Sequence, residues 1–257
     1  MVNGKKIVLV TQARIGSSRL PNKILINLGN KKLIEHHLDR LKKVSFIDNL
    51  IVATTKEDGV ELLLNLLKNK NISYYQGSTD NVLERFYKAV LSYKPDYVVR
   101  VTSDCPLIDP ALISDVINYT ISKDLDYCAN ILSEMFPDGQ DIEVFKYSAL
   151  IKAFKEVKLY SDKEHVTPYI KRNSTYLGGK LFSSDNYSCN SNYSEIRMTV
   201  DEQDDLLACE ILIKELGENA SWKEYASFIK ENQNLFQNQK IVRNEGFEKS
   251  LKNDKNG

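Results

Sequence analysis

Three cations crowd into one short stretch. In TQARIGSSRLPNK, residues 11–23, Arg14, Arg19 and Lys23 follow directly on the apolar run IVLV, with Gly16, Ser17 and Ser18 among them. Arginine can meet phosphate oxygens in pairs and lysine acts as a point charge. A glycine and short hydroxyls let backbone N–H groups come close to an anion. Pro21 stiffens the exit. The set suits a nucleoside triphosphate held at the end of a strand. The stretch lacks both G-x-x-x-x-G-K-[ST] and G-x-G-x-x-G, which argues against P-loop and dinucleotide chemistry. A plain solvated basic loop is the alternative.

Carboxylates stand at two further strand ends. VVRVTSDCPLIDP, residues 98–110, runs from an apolar strand through Ser103 to Asp104, where Pro106 forces a turn. RMTVDEQDDL, residues 197–206, places Asp201 ahead of a helix. Magnesium takes one or two carboxylates together with phosphate oxygens, so Asp104 and Asp201 are candidate ligands for Mg²⁺. Both also suit ordinary turn and helix capping, and the two roles can share one carboxylate. Arg100 lies in an otherwise apolar strand. Because a buried unpaired arginine is costly, it should point at an anion.

Two segments are candidates for the acceptor side. Asp141 and Glu143 in GQDIEVF would face the same way on a strand. That pair can accept hydrogen bonds from sugar hydroxyls, support a metal, or simply face solvent on an edge strand. Glu164 and His165 in KEHVTPYI open a short helix. His165 suits contact with an acceptor carboxylate or phosphate, or proton carriage near neutral pH. A satisfied structural histidine is the competing reading, and His36, His37 and the cysteines are read as structural.

The elements that must position these groups alternate. KIVLV reads as a central parallel strand, followed by a helix over Leu33–Leu41 and the strand NLIVAT. Val60, Leu63, Leu64 and Leu67 mark a helix face, ISYYQ a third strand, and Val82, Phe86, Ala89 and Val90 another helix capped by Ser78 or Asn81. DYVVRV is the fourth strand, and Asp109-Pro110 starts a helix over 112–120. Such an order predicts a doubly wound sheet with ligands at the carboxyl edge of its strands. Later, YCANI, IEVF and EIRMTV read as strands, and 149–157, 205–216 and 222–231 as helices.

The expected organisation is one domain over residues 1–232, with a substrate- and dimerisation-facing part around 130–195. A polar tail rich in Asn, Gln and Lys follows over 233–257.

Bulk properties narrow the partners. The chain has 257 residues, 42% hydrophobic and 27% charged, with formal net charge +0, so no global field points to nucleic acid or an acidic membrane. A cationic loop in a neutral protein implies a local anion. The N-terminal apolar run is too short for a signal peptide and nothing approaches a membrane span, so a cytoplasmic protein is expected. Four widely spaced cysteines and three histidines disfavour a zinc site or a disulfide framework.

Taken together, the motifs resemble the cytidylyltransferases that make CMP-activated sugars, including the acylneuraminate and 3-deoxy-manno-octulosonate enzymes. They resemble most the branch named after the spore-coat polysaccharide protein SpsF. The opening QARxxSxRLPxK is matched through Gln12, Ala13, Arg14, Ser17, Arg19, Leu20, Pro21 and Lys23. GSxDxVLxR is matched at residues 77–85, RxTxDCPLxDP at 100–110, DGxDxEVF at 138–145, EHVTPYI at 164–170 and TVDxxxDL at 199–206. The sialate and octulosonate enzymes have Pro where Gln12 stands and lack a clear DGxDxEVF, so the acceptor can differ from theirs.

The resemblance implies an α/β fold: a Rossmann-like, glycosyltransferase-A-like three-layer αβα sandwich with a mixed, mainly parallel sheet. It implies CTP bound by Gln12, Ala13, Arg14, Gly16, Ser17, Ser18, Arg19 and Lys23, with Thr54, Gly77, Asn81, Arg85, Arg100 and Ser103 contributing. Arg14, Arg19, Lys23 and Asp104 would be catalytic, Asp104 and Asp201 would hold Mg²⁺, and Asp141, Glu143, Glu164 and His165 would face a small acidic acceptor. A homodimer is implied as well. The alternatives are a nucleotidyltransferase using another triphosphate or a non-sugar acceptor, a glycosyltransferase on the same sheet, and a non-catalytic nucleotide-binding protein. The single Gly16 argues against sugar-1-phosphate enzymes with glycine-rich openings. DLD at Asp124–Asp126 precedes a strand rather than following one, which argues against a glycosyltransferase metal motif.

Overall fold

The structure, a computed structural model, describes residues 4–17, 19–241, 251 and 254. The chain runs β1 (Ile7–Gln12), a small hairpin of β2 (Asn27–Leu28) and β3 (Lys31–Lys32), α1 (Leu33–Leu41), β4 (Asn49–Thr54) and α2 (Val60–Asn69). It continues through β5 (Ser73–Gln76), α3 (Val82–Val90), β6 (Tyr97–Thr102), α4 (Pro110–Ser122), β7 (Tyr127–Ala129) and β8 (Glu143–Lys146). The last elements are α5 (Tyr147–Glu156), α6 (Tyr160–His165), α7 (Pro168–Arg172), β9 (Ser184–Asn186), α8 (Gln203–Leu216) and α9 (Trp222–Glu231).

Seven strands form one sheet in the order β5-β4-β1-β6-β8-β7-β9. β5, β4, β1 and β6 are mutually parallel, β8 runs antiparallel between β6 and β7, and β9 is parallel to β7. The expected three-layer αβα architecture with a mixed, mainly parallel sheet is the observed one.

Strand β1 shows why the apolar run carried the prediction. Side chains alternate across a strand. Ile7 and Leu9 pack with residues of α4, α8 and α9 on one side, while Val8 and Val10 pack with residues of α3 and α5 on the other. A strand covered on both faces needs apolar residues at every position. All four are fully buried, and burying each such side chain contributes roughly 1.5–3 kcal/mol. Helix α4 starts as expected: Pro110 takes the first helical position, and the Asp109 carboxylate accepts from the N–H groups of Ala111 and Leu112.

Three expectations are corrected. EIRMTV is not a strand: it runs extended past Asp138, and Arg197 makes only an isolated bridge to that residue. Glu164 and His165 close helix α6 rather than opening a helix. The tail does not begin at residue 233. Phe236 and Asn238 are buried, and Asn238 donates to the Arg197 carbonyl and to Asp205, so residues 233–241 belong to the packed domain. Of the remaining tail only Leu251 and Asp254 are described, and Asp254 accepts from the backbone and hydroxyl of Ser161 at the start of α6.

Candidate functional site

A cleft of about 300 Å³ opens at the carboxyl edge of β1 and β6. The ladder of β1 ends at Gln12, whose carbonyl accepts from the Ser103 N–H beyond β6, so both strand ends are tied at one level. From β1 the chain delivers Gln12, Ala13, Arg14, Ser17, Arg19 and Lys23 to the cleft; from the end of β6 come Thr102, Ser103 and Asp104. Arg85 of α3 and Asp201, ahead of α8, face the same space, and Tyr160, Glu164 and His165 of α6 form a wall.

Lys23 lies at the centre of the charge pattern. Its ammonium donates to Asp104 Oδ2 at 3.1 Å, to Asp201 Oδ1 at 2.7 Å and to the Val200 carbonyl at 3.0 Å. Arg19 pairs with the other oxygen of Asp201 at 2.9 Å. Burial alone would lower the Lys23 ammonium, but Asp104 and Asp201 outweigh it and hold it above its usual range. Burial likewise pushes the Asp104 carboxyl upward, and Lys23 with the Thr102 hydroxyl brings it well below the usual carboxylate range. Two acids from distant parts of the chain therefore converge on one cation-sized position.

Asp201 is itself held in place. Its backbone N–H donates to Asp205 Oδ2, and its carboxylate meets Arg197 at 3.3 Å. Arg197 is buried and grips Asp205 through two nitrogens at 2.8 and 3.0 Å, and Asp138 at 2.7 Å. The last aspartate of TVDxxxDL is thus the support of the first.

Arg85 is the least compensated cation. It is buried, one guanidinium nitrogen donates to the Ser78 carbonyl, Nε has no hydrogen-bond partner, and the carboxylate that attracts it, Glu57, makes no ion pair with it. Burial and the nearby Arg14 lower its pKa to about 10. An arginine kept in that state favours an anion arriving from outside. Glu164 is pushed up by burial and by Asp80, against the pull of Arg14. The pKa of His165 falls to about 4, chiefly by burial and then by Arg100 and Lys171, so the ring is neutral at pH 7 and does not titrate near neutrality.

Several sequence-picked residues stand outside the cleft lining. Gly16 lies on the far side of the loop, and Ser18 lies outside the described residues. Thr54 is buried at the end of β4, where its carbonyl accepts from the Gly77 N–H. Gly77 permits close packing, since a Cβ there would stand 2.9 Å from Tyr75 and 3.0 Å from Arg85. Asn81 caps α3 by accepting from the Glu84 N–H. These last three shape the wall that carries Arg85.

Arg100 does find an anion, but a protein one. It pairs with Glu143, directly opposite in the β6–β8 register, and its other terminal nitrogen reaches Gln12 Oε1 at 3.5 Å. Glu143 is not solvent-facing, because β8 is an interior strand. Its carboxylate also accepts from Tyr127 and Thr167 at 2.7 Å each and from Lys171 at 3.2 Å. Burial would raise it, but Lys171, Arg100 and the hydroxyls bring it down to about 2. Asp141 precedes β8, so the expected same-face pair on a strand does not form. Neither acid lines the cleft.

Sequence reasoning missed Tyr160, Lys171, Thr167 and Glu57. Nothing in the local spacing singles out Tyr160, Lys171 or Glu57, and Thr167 was read only as part of EHVTPYI; Lys171 and Thr167 act on Glu143, outside the cleft lining, through the fold of α7.

A mainly parallel sheet whose strand ends deliver a cation loop opposite two carboxylates is the architecture of a nucleotidyltransferase. A cytidylyltransferase family model matches residues 7–246, and the chain belongs to the cytidylyltransferase family. It is 30% identical over 219 residues to the spore coat polysaccharide biosynthesis protein SpsF of Bacillus subtilis, covering 82% of this chain and 88% of that one. It is 29% identical over 170 residues to the 3-deoxy-manno-octulosonate cytidylyltransferase of Francisella tularensis, covering 65% and 63%. A solved cytidylyltransferase structure from Leptospira borgpetersenii superposes with a TM-score of 0.85 at 30% identity, covering 93% of this chain and all of that one. The reaction of this chain is accordingly cytidylyl transfer from CTP.

Proposed function

We propose that the protein transfers CMP from CTP to an acidic sugar or a related small acceptor, releases pyrophosphate, and serves surface-polysaccharide synthesis. The observation that carries this reading is the convergence of Arg14, Arg19, Lys23 and Arg85 with Asp104 and Asp201 on one cleft. The polysaccharide role is supported by the likeness to SpsF. A hydroxyl, carboxylate or phosphate oxygen of the acceptor attacks the α-phosphorus, the bond to the bridging oxygen breaks, and pyrophosphate departs. Arg14, Arg19 and Lys23 hold the β- and γ-phosphates and neutralise the leaving group, so positioning and electrostatics supply most of the acceleration.

The donor set fits magnesium. Asp104 and Asp201 offer oxygens around a position now taken by an ammonium, and no cluster of three or more His, Cys, Asp or Glu among the described residues could build a closed metal cage. Magnesium needs only one or two carboxylates when phosphate oxygens and water complete its shell. When bound, it would neutralise triphosphate charge as the leaving group forms. Lys23 is then free to turn from the aspartates to a phosphate.

The acceptor side is bounded by Tyr160, Glu164 and a neutral His165, which offers a hydrogen bond rather than a charge. Exposed Leu159, Tyr160, Tyr176, Leu177 and Leu181 gather in one part of the chain and support a homodimer through it. No helix among the described residues is long and apolar enough to cross a membrane, in keeping with a cytoplasmic enzyme.

Pyrophosphate release with Mg²⁺ and each of CTP, UTP, GTP and ATP, across acidic sugars and small phosphorylated acceptors, tests the reading. CTP-selective release that depends on one acceptor and falls by about a hundredfold or more in Asp104→Ala is the expected result. Clear preference for another triphosphate would overturn it.

A further inference from the structure

We infer that Glu57 is the positioning residue of the cation loop: its carboxylate fixes the backbone of Ile15 and Gly16 so that Arg14 and Ser17, on either side, face the cleft. The inference rests on the reading of the cleft as the CTP site.

Regular hydrogen bonding of β1 stops just short of the loop. The last ladder-like bond is from the Ala13 N–H to the Ala53 carbonyl. Beyond it, Ile15 and Gly16 donate their N–H groups to one oxygen of Glu57, at 2.6 and 3.1 Å. Two successive amides aimed at one oxygen form a small concave anion site, the backbone arrangement that elsewhere takes a phosphate. Here the chain fills it with its own carboxylate, carried by the connection between β4 and α2. Arg14 and Ser17 line the cleft while Gly16 and Glu57 do not. One face of the loop is thus tied down, and the other is left free for a ligand.

Gly16 gives an independent sign of the same contact. No unusual φ requires glycine at this position; close approach does. A Cβ on residue 16 would lie 2.9 Å from Glu57 Oε2, so the carboxylate would have to move off its present position. The glycine of the loop is therefore matched to the carboxylate behind it as well as to any phosphate in front. Glu57 is half-buried, and although burial pushes its carboxyl up, the Thr55 hydroxyl, then the two amides and Arg14, hold it below its usual range. The group is an anion at neutral pH, as the contact requires.

The test compares wild type, Glu57→Ala, Glu57→Gln, Gly16→Ala and the Gly16→Ala/Glu57→Ala double variant. CTP affinity is measured by calorimetry, KM and kcat by pyrophosphate release, and exchange of the Ile15 and Gly16 amides by NMR on the ligand-free protein. Glu57→Ala should raise Kd and KM for CTP about tenfold, with a smaller change in kcat, and should speed exchange of both amides. Glu57→Gln keeps an acceptor oxygen and should recover most of the affinity. Gly16→Ala should reproduce the Glu57→Ala defect, and the double variant should be no worse than either single, the signature of one shared interaction. CTP binding by Glu57→Ala equal to or tighter than wild type would overturn the inference; tighter binding would mean that Glu57 competes with phosphate for the amides. If wild type binds no CTP, the functional reading fails, and the amide exchange rates alone decide the role of Glu57: unchanged rates in Glu57→Ala sink it.

Discussion

The cleft and the Glu143 cluster lie on either side of Arg100 and Gln12, and both are built of charges drawn from distant segments. They differ in how those charges are satisfied. Each oxygen of Glu143 is occupied by protein donors, with Arg100, Lys171, Tyr127 and Thr167 converging on one buried carboxylate. In the cleft Lys23 shares two carboxylates at hydrogen-bond distance, while Arg14 and Arg85 feel Glu57, and Arg14 also Glu164, only by attraction at longer range. A charge closed by the protein holds the fold; a charge left open waits for a ligand. The same residue types thus do different work, and partner geometry decides which.

Removing the closed charge should cost most. Glu143→Ala leaves Arg100 and Lys171 facing each other without an anion, and the expected loss is about 3–5 kcal/mol in urea unfolding, with activity falling as the folded fraction falls. An unchanged midpoint would put the cluster among functional rather than structural features.

Acid should come next. His37 is enclosed, hydrogen-bonded to the Cys105 carbonyl and the Thr11 hydroxyl, and burial lowers its pKa from 6.5 to about 4. His165 is shifted to the same value. The unfolded chain therefore binds more protons than the native state between these pH values. Stability from this source is complete above about pH 6.5 and is lost as pH falls toward 4, with His37 alone worth about 3 kcal/mol. Glu143, depressed to about 2, gives way only below its unfolded value of about 4.3. Thermal unfolding at steps between pH 7 and 4 would show the decline, and a flat profile would contradict it.

Opening the comparison from the other side, Arg85→Met should raise KM for CTP about tenfold while leaving the melting temperature unchanged or higher, because an uncompensated buried charge is removed. A fall in melting temperature without a change in KM would place Arg85 with the structural charges. Thr167→Val deletes a single donor to Glu143 while Arg100, Lys171 and Tyr127 remain, and a loss of about 1 kcal/mol is expected by urea denaturation, with KM unchanged.

Legibility followed periodicity. From β1 to α4 the central strands β1, β4 and β6 are largely buried on both faces and the helices carry apolar stripes, so the pattern states these elements directly, while β5 at the sheet edge is part-exposed. The loop cations and the two aspartates were legible as a group because cations and carboxylates at strand ends stand out by type, and the structure brings them to one cleft. Residues 130–200 were harder, since α6, α7 and β9 are each six residues or shorter and carry little periodic signal. Arg100 and Glu143 could be recognised as mutual partners only once β8 was known to run antiparallel beside β6. The segment around Asn238 looked like solvated tail by composition. A buried asparagine is an acceptable core residue when Asp205 and a carbonyl satisfy it, and composition does not show that. Glu57 had no pattern at all.

The bonds of Lys23 set a condition on synthesis. The lysine emerges early, yet one carboxylate it meets lies 81 residues later and the other 178 residues later. Asn238 and Gln239 then close over Arg197, which steadies the second. During translation the first half of the sheet can form with the cation loop in place, but the pairing that completes the cleft waits for nearly the whole described chain. A chain synthesised only to the end of β6 carries the cation loop without either carboxylate, and the charge pattern of the cleft is complete only when Asp201 has joined it.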